Sequence, residues 1–393
     1  MRRNSNNNNN NNYPIAQANL SIDVEANEIT LLEKPSIQKS PKRIIQQDNE
    51  IGNIESILNT QINEEAVTQF LKDNEWKPGL ISAFIKSMKK IPIRFFITDD
   101  SGSMLTNDGH RSIRLNGSKE YKMIKCSRWS ELVSSLTFHA TLADIANAPT
   151  EFRMLNMAEP VIINGKDAGK AKDAFLDLLN ESPGGQTPIC FQVKAVIEKI
   201  KMVESTLRQN GQKACVIICT DGESTDGNLT DSMRPLENLP VWVVVRLCTD
   251  EKKIVEYWNE IDSELELEMD VLDDLSGEAE EVFESQKGWL TYNESLHRFR
   301  EFGAIVKEMD LLDEALLSSD QLRVVISLLL PVQGPNEVPH PDIDWSNFIK
   351  FLNKLNPDVW CPKTFKVKKA IDISKIKKIY GEGKTSTSTC SIS

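Results

Sequence analysis

Three short stretches set small oxygen-bearing side chains beside glycine: Asp99-Asp100-Ser101-Gly102-Ser103, Gly184-Gly185-Gln186-Thr187-Pro188 and Thr220-Asp221-Gly222. Hydroxyl and carboxylate oxygens are hard ligands. With no histidine or cysteine among them they suit Mg2+, with Mn2+ or Ca2+ as alternatives, rather than zinc or copper. The alternate spacing of 99, 101 and 103 brings three side chains round one ion if the loop turns tightly, which Gly102 permits.

Such loops act only if secondary structure brings them together. "PIRFFIT" (92–98) is an apolar run of strand length that stops at Asp99, and "KACVIICT" (213–220) does the same before Asp221. Between and after them, helical periodicity over 127–146, 168–179 and 189–207 alternates with the strand candidates "TEFRMLN" (150–156), "PVIING" (160–165) and "PVWVVVRLC" (240–248). Pro188 is placed to open the third of those helices. Further helices are expected over 229–239 and 251–261, and the strict alternation of "ELELEMDV" (264–271) predicts a half-exposed edge strand. This order predicts an α/β fold with a doubly wound, mostly parallel sheet. Ligands of such sheets sit at the carboxyl ends of strands near the switch point, where Asp99 falls.

Asp-x-Ser-x-Ser after the first strand, a threonine in a glycine-glycine loop before proline, and Asp-Gly after a later strand resemble the metal-ion-dependent adhesion site of von Willebrand factor type A domains. The resemblance spans about residues 90–275, with the motif segments in family order and Gln186 as an extra residue in the second loop. It implies that Ser101, Ser103 and Thr187 are hydroxyl ligands and that Asp99 and Asp221 ligate directly or through water. Two carboxylates only neutralise a divalent ion, so the ion stays electrophilic and an Asp or Glu of a partner protein can fill its open position. Asp100 falls on the motif's variable position and is expected as a solvated or outer carboxylate. No catalytic residue is expected. The competing class is a metal-dependent phosphoester hydrolase with an aspartyl nucleophile, but Ser101 stands where the haloacid-dehalogenase-like pattern has its second aspartate, and no general base accompanies it. A third alternative is a structural subunit with an inactive site.

The chain has 393 residues, 40% hydrophobic and 26% charged, enough for a sizeable core. Residues 1–60 open with the tract Asn6 to Asn12 and lack the apolar side chains that would offset the entropy of ordering them, so disorder is expected. Ser40, before Pro41, Lys42 and Arg43, is a candidate for proline-directed phosphorylation. A helical lead-in (61–89), the α/β domain (90–275), a smaller helical extension (276–362) and a basic flexible tail (363–393) follow. Seven cysteines without a C-x-x-C pair argue for a reducing compartment and against zinc. The net charge of -12 opposes nucleic-acid binding. No apolar stretch serves as a signal peptide or membrane span, which points to the cytoplasm.

Charge is unevenly spread: eleven acidic residues lie between Asp262 and Glu284 without a lysine or arginine. From Lys363 to Lys384 there are eight lysines against Asp372 and Glu382. "GEGKTS" (381–386) is not a P-loop, because Lys378 stands where the first glycine is required. The terminal Cys390-Ser391-Ile392-Ser393 matches a prenylation box in which serine favours farnesyl. Cys390 with the lysines ahead of it is thus expected to tether the protein to the cytosolic face of a membrane.

Overall fold

The computed structural model describes residues 58, 60–114, 121–157, 159–249 and 251–381, all within the compact unit Ile45–Ser393. Ser40 and Cys390 lie outside the described residues. Helices α1 (Glu64–Asp73) and α2 (Pro78–Lys90) lead into β1 (Ile93–Thr98). Asn63 caps α1 by accepting the N–H of Ala66, and α2 begins on Pro78 and ends in two lysines, as its sequence signals require.

A hairpin of β2 (Gly109–Arg114) and β3 (Tyr121–Cys126) then lies outside the main sheet, its strands pairing with each other and the His110 N–H bonding to Glu131 at 2.9 Å. After it come α3 (Arg128–Ala146), β4 (Thr150–Met154), β5 (Val161–Ile163), α4 (Ala168–Leu178), α5 (Ile189–Gln209) and β6 (Ala214–Thr220). The domain closes with α6 (Leu229–Met233), β7 (Val241–Leu247), α7 (Lys252–Glu264) and β8 (Met269–Leu272). Six strands form one sheet in the order β5-β4-β1-β6-β7-β8, parallel except for the antiparallel edge strand β5. The expected doubly wound, mostly parallel α/β sheet is therefore present.

Both sheet faces are covered, so the central strands are buried at every position. Alternate residues serve opposite cores. Phe95 and Ile97 join Val216, Ile218, Val243 and Val245 beneath α5, α6 and α7, while Phe96, Ile217 and Val244 face α1, α2 and α3 on the other side.

Helix α8 (Leu275–Ser285) and α9 (Glu294–Glu301) bring the chain back to that second face. Phe302, next after α9, lies 5.2 Å from Phe84 of α2, and the buried Arg94 of β1 places its guanidinium 4.0 Å over the Phe302 ring while donating to the Phe302 carbonyl at 2.9 Å. The region after 276 thus completes the sheet's own core. Gly303 has φ +71, and a Cβ there would collide with Cys215 Sγ. Gly303→Ala is expected to cost about 2–4 kcal/mol, combining left-handed strain with overpacking. A urea midpoint within error of wild type would show that the two elements separate freely.

Two elements of the fold differ from their sequence signals. Helix α7 runs through Glu264, and the edge strand occupies only 269–272 instead of 264–271, because Ile261 and Leu265 are buried as the helix's last apolar contacts. The basic segment expected as flexible from 363 is structured to Gly381. After α10 (Lys307–Asp310), α11 (Ser319–Leu329) and α12 (Trp345–Leu355), β9 (Asp358–Cys361) pairs with β10 (Lys366–Lys369), and α13 (Ile373–Tyr380) follows. Buried Ala370, Ile371 and Ile376 anchor it, and the Thr291 and Asp372 N–H groups bond to the carbonyls of Ala370 and Trp289. The exposed lysines hid this apolar minority.

No helix among the described residues is long and apolar enough to cross a membrane.

Candidate functional site

The chain runs from β1 outward to β4 and then returns to place β6 on the other side of β1, so the sheet's switch point lies between β1 and β6. The loops after both strands meet there. The N–H of Asp99 bonds to the carbonyl of Cys219 at 2.8 Å, continuing the ladder past the strand ends. Thr220 Oγ1 donates to Asp99 Oδ2 at 2.6 Å, and the other oxygen, Oδ1, accepts the N–H of Ser101 at 2.9 Å. Asp99 is fully buried. Burial pushes its carboxyl pKa up, opposed by the bonds from Thr220 and Ser101.

A chain of oxygens crosses from one loop to the other. Ser101 Oγ lies 2.9 Å from Ser103 Oγ, which donates to Asp221 Oδ1 at 2.8 Å. Asp99, Ser101, Ser103 and Asp221 are therefore brought together across 118 residues of sequence separation between the last two.

The third loop is held against them by backbone: the N–H of Gly184 bonds to the Asp100 carbonyl at 2.7 Å, and the N–H of Gly102 to the Gly185 carbonyl at 3.4 Å. Thr187, largely buried, is fixed by reciprocal bonds with Thr225, its N–H donating to Thr225 Oγ1 at 3.1 Å and its carbonyl accepting at 2.9 Å. Gly185 is required where it stands. Its φ is +104, and a Cβ would collide with Asn156 Oδ1.

Asp100 is not solvated. It is buried and its Oδ1 accepts both the N–H and the side-chain amide of Asn156, each at 2.9 Å; burial raises its pKa against those bonds. Asn156 also donates to the Gln186 carbonyl at 2.9 Å, so Asp100 braces the threonine loop.

The residue that sequence reasoning missed is Arg128. Ser127 caps α3, and Arg128, its first helical residue, is buried beneath the site with three carboxylates around it. Its guanidinium reaches Asp221 Oδ2 at 3.0 Å, Asp108 at 2.8 and 2.5 Å, and Glu251 at 2.6 Å. Burial works against its charge, but the bonds to Asp108, Glu251 and Asp221 outweigh this and hold its pKa above the ordinary arginine value. An arginine opening a helix carries no signal in sequence, because its meaning depends on an aspartate 93 residues away.

The donors are hydroxyl and carboxylate oxygens without nitrogen or sulfur, and the two carboxylates, Asp99 and Asp221, follow adjacent strands, which is chemistry that suits Mg2+. Ser101, Ser103, Thr187, Asp99 and Asp221 would hold the ion. Two exposed apolar side chains flank these loops, Leu105 (49% exposed) after the buried Met104 that follows Ser103, and Phe191 (65%) in the first turn of α5 after Thr187. Large apolar groups left in water beside a polar site are a feature of docking surfaces.

A second acidic group, Glu278, Glu281 and Asp313, has carboxylate oxygens within 4.8 Å of one another. Arg300 already serves as its cation, bonding to Glu278 and reaching Asp313 at 2.8 Å and Asp270 at 2.9 Å. Nearby Asp310, half-buried, is pushed up to about 7 from 3.8, first by burial and then by Asp270, against Arg300. Its ionised form is the disfavoured one in the fold, so the cost builds from about pH 4 and is complete above about pH 7. Asp310→Asn should raise stability by about 1 kcal/mol at pH 8, after allowance for solvent screening, and leave it unchanged at pH 4. Equal effects on the melting temperature at both pH values would contradict this.

The sequence matches no protein-family profile and no curated protein. Among solved structures it is similar to an aerotolerance-related membrane protein from Bacteroides fragilis carrying multiple mutations to serines, at 17% identity and a TM-score of 0.25, over 39% of this chain and 66% of that one. It is also similar to the conserved hypothetical protein BatB from Bacteroides thetaiotaomicron, at 19% identity and a TM-score of 0.25, over 39% of this chain and 65% of that one. The match spans just under two thirds of each neighbour.

Proposed function

We propose that this chain is a protein-binding module of the von Willebrand factor type A kind, gated by a divalent metal, rather than an enzyme. The observation that carries the reading is the hydrogen-bonded series Ser101–Ser103–Asp221 beside Asp99 at the switch point of the sheet. Mg2+ is the proposed ion, with Mn2+ or Ca2+ as alternatives, held by Ser101, Ser103, Thr187, Asp99 and Asp221. A partner's Asp or Glu completes its coordination while Leu105 and Phe191 supply apolar contact. The proposed setting is the cytosolic face of a membrane, with Cys390 farnesylated and the lysine-rich segment adding electrostatic attraction to anionic lipid.

Capture of partners from a eukaryotic lysate by immobilised protein tests the reading, comparing Mg2+, chelator and the Ser101→Ala/Ser103→Ala variant. Proteins held only by wild type with metal are expected; equal retention in all three arms would remove metal gating. Finding Cys390 unmodified by mass spectrometry in a prenylating host would remove the tether.

One observation favours a second reading, a structural subunit whose site works without metal: Arg128 already places a cation on Asp221. In that case Asp99→Ala and Asp221→Ala leave partner binding unchanged.

A further inference from the structure

We propose that a cavity between the α8–α9 connection, the β9–β10 hairpin and α13 binds a multiply phosphorylated ring of the inositol phosphate class, free or as a lipid headgroup. The cavity has a volume of about 630 Å³, within the range of small-molecule sites. Four lysines line it, from three separate elements: Lys363 from the hairpin loop, Lys368 and Lys369 from β10, and Lys375 from the first turn of α13. In a protein of net charge -12, such a concentration is a local inversion of sign.

The positive charge is only partly neutralised. Lys369 pairs with Asp358 at 3.0 Å, and Lys363 lies 3.6 Å from Glu280 and 5.1 Å over the Phe283 ring. Among the described residues no carboxylate is in ion-pair contact with Lys368 or Lys375, although Asp372 attracts the Lys375 charge, and both lysines are exposed. Asp372, the one carboxylate in the lining, is committed to capping α13: its Oδ1 accepts the N–H groups of Ser374 at 2.9 Å and Lys375 at 3.2 Å.

A second, independent feature points to a ligand. Thr364 also lines the cavity, and its Oγ1 is buried without a hydrogen-bond partner. A hydroxyl shut away from water without a bond costs about 1–3 kcal/mol, and turning about its Cα–Cβ bond would let it donate to a phosphate oxygen in the cavity.

The shape of the lining selects among phosphate compounds. Leu290, Ile371, Tyr292 and Phe283 are the large apolar members of the lining, suited to the C–H face of a six-membered ring. Lysines drawn from three elements around one cavity suit phosphates that radiate from such a ring, whereas a linear triphosphate would engage fewer of them. Lysines bind phosphate as point charges and need no planar match.

The test uses the full chain. Calorimetric titration with inositol hexakisphosphate should show binding that weakens as salt rises, and ATP and inorganic phosphate should bind far more weakly. Lys368→Ala/Lys375→Ala should weaken the hexakisphosphate by about 30-fold. Thr364→Val, which changes no charge, should weaken it about fivefold with an unaltered melting curve.

Flotation with phosphatidylcholine vesicles, with and without phosphatidylinositol bisphosphate, separates the two sources. Capture on the phosphorylated lipid together with hexakisphosphate binding supports a headgroup site. Hexakisphosphate binding without vesicle capture supports a free ligand. Vesicle capture without hexakisphosphate binding, tighter binding of ATP, or wild-type affinity in both variants would overturn the proposal.

Discussion

Arg300→Ala is expected to destabilise the protein by about 3–5 kcal/mol, a large part of the 5–15 kcal/mol typical of a domain. The guanidinium is buried and serves three acids: Nη1 bonds to Glu278, and Nη2 reaches Asp270 at 2.9 Å and Asp313 at 2.8 Å. Glu278 is itself fully buried; burial pushes its pKa well above the ordinary value, and Arg300 is the group that opposes this. Truncation leaves an acidic cluster without its cation. The carboxylates then take up protons more readily, so the deficit should be largest near pH 8 and shrink as pH falls through their raised pKa values.

Arg300→Lys keeps the charge but loses the fork that bonds two acids at once, and should fall between the two. Urea unfolding measures all three proteins. A loss below 1 kcal/mol for the alanine variant at pH 8, or a loss independent of pH, would show that these acids are solvated in the folded protein.

Asp221→Ala should abolish Mg2+ binding, weakening it by about 100-fold or more, at modest cost to the fold. Asp221 is the point at which two systems meet: Oδ1 takes the Ser103 hydroxyl and Oδ2 takes the Arg128 guanidinium. Its removal deletes one of the two carboxylates that balance a divalent charge and releases the serine from its place. Arg128 keeps Asp108 and Glu251, so the buried cation stays paired and unfolding free energy should fall by only about 1–3 kcal/mol.

Asp221→Asn separates charge from position. The amide oxygen still accepts from Ser103, but the charge is gone, and metal affinity should remain close to that of the alanine variant. Mn2+ titration followed by electron paramagnetic resonance reads both. Binding of Mn2+ by Asp221→Ala with wild-type affinity would show that the ion, if any, sits elsewhere.

The sheet was legible because its central strands are buried on both faces: "RFFIT", "CVIIC" and "VWVVV" are apolar at nearly every position and end at polar loops. The β2–β3 hairpin was not. "GHRSIR" is polar and "YKMIKC" does not alternate cleanly, and the two strands pair with each other outside the main sheet, so neither carries the continuous apolar run of a covered strand. Helix α9 hides its role in the opposite way. His297, Arg300 and Glu301 are buried, and Glu301 accepts from Ser135 at 2.9 Å, Arg298 at 2.7 Å and Arg246 at 3.3 Å. Burial would push the Glu301 carboxyl up, but Arg298 and His297 outweigh it and hold it well below the usual range. A charged helix that is a core element defeats any reading by hydrophobicity.

The site divides along similar lines. Asp99, Ser101, Ser103 and Asp221 stood out because their oxygens follow strand ends beside glycine. The supports of those residues, Thr220 under Asp99, Asn156 over Asp100 and Arg128 under Asp221, are fixed by tertiary contact alone.

Calorimetric titration of the full chain with Mg2+, alongside the Ser101→Ala/Ser103→Ala variant, decides whether these oxygens hold a metal. Saturable uptake of one ion per chain is expected for wild type and none for the variant, with both proteins melting at similar temperatures in chelator. No uptake by wild type, or equal uptake by both, would contradict this expectation and leave Arg128 as the site's working cation.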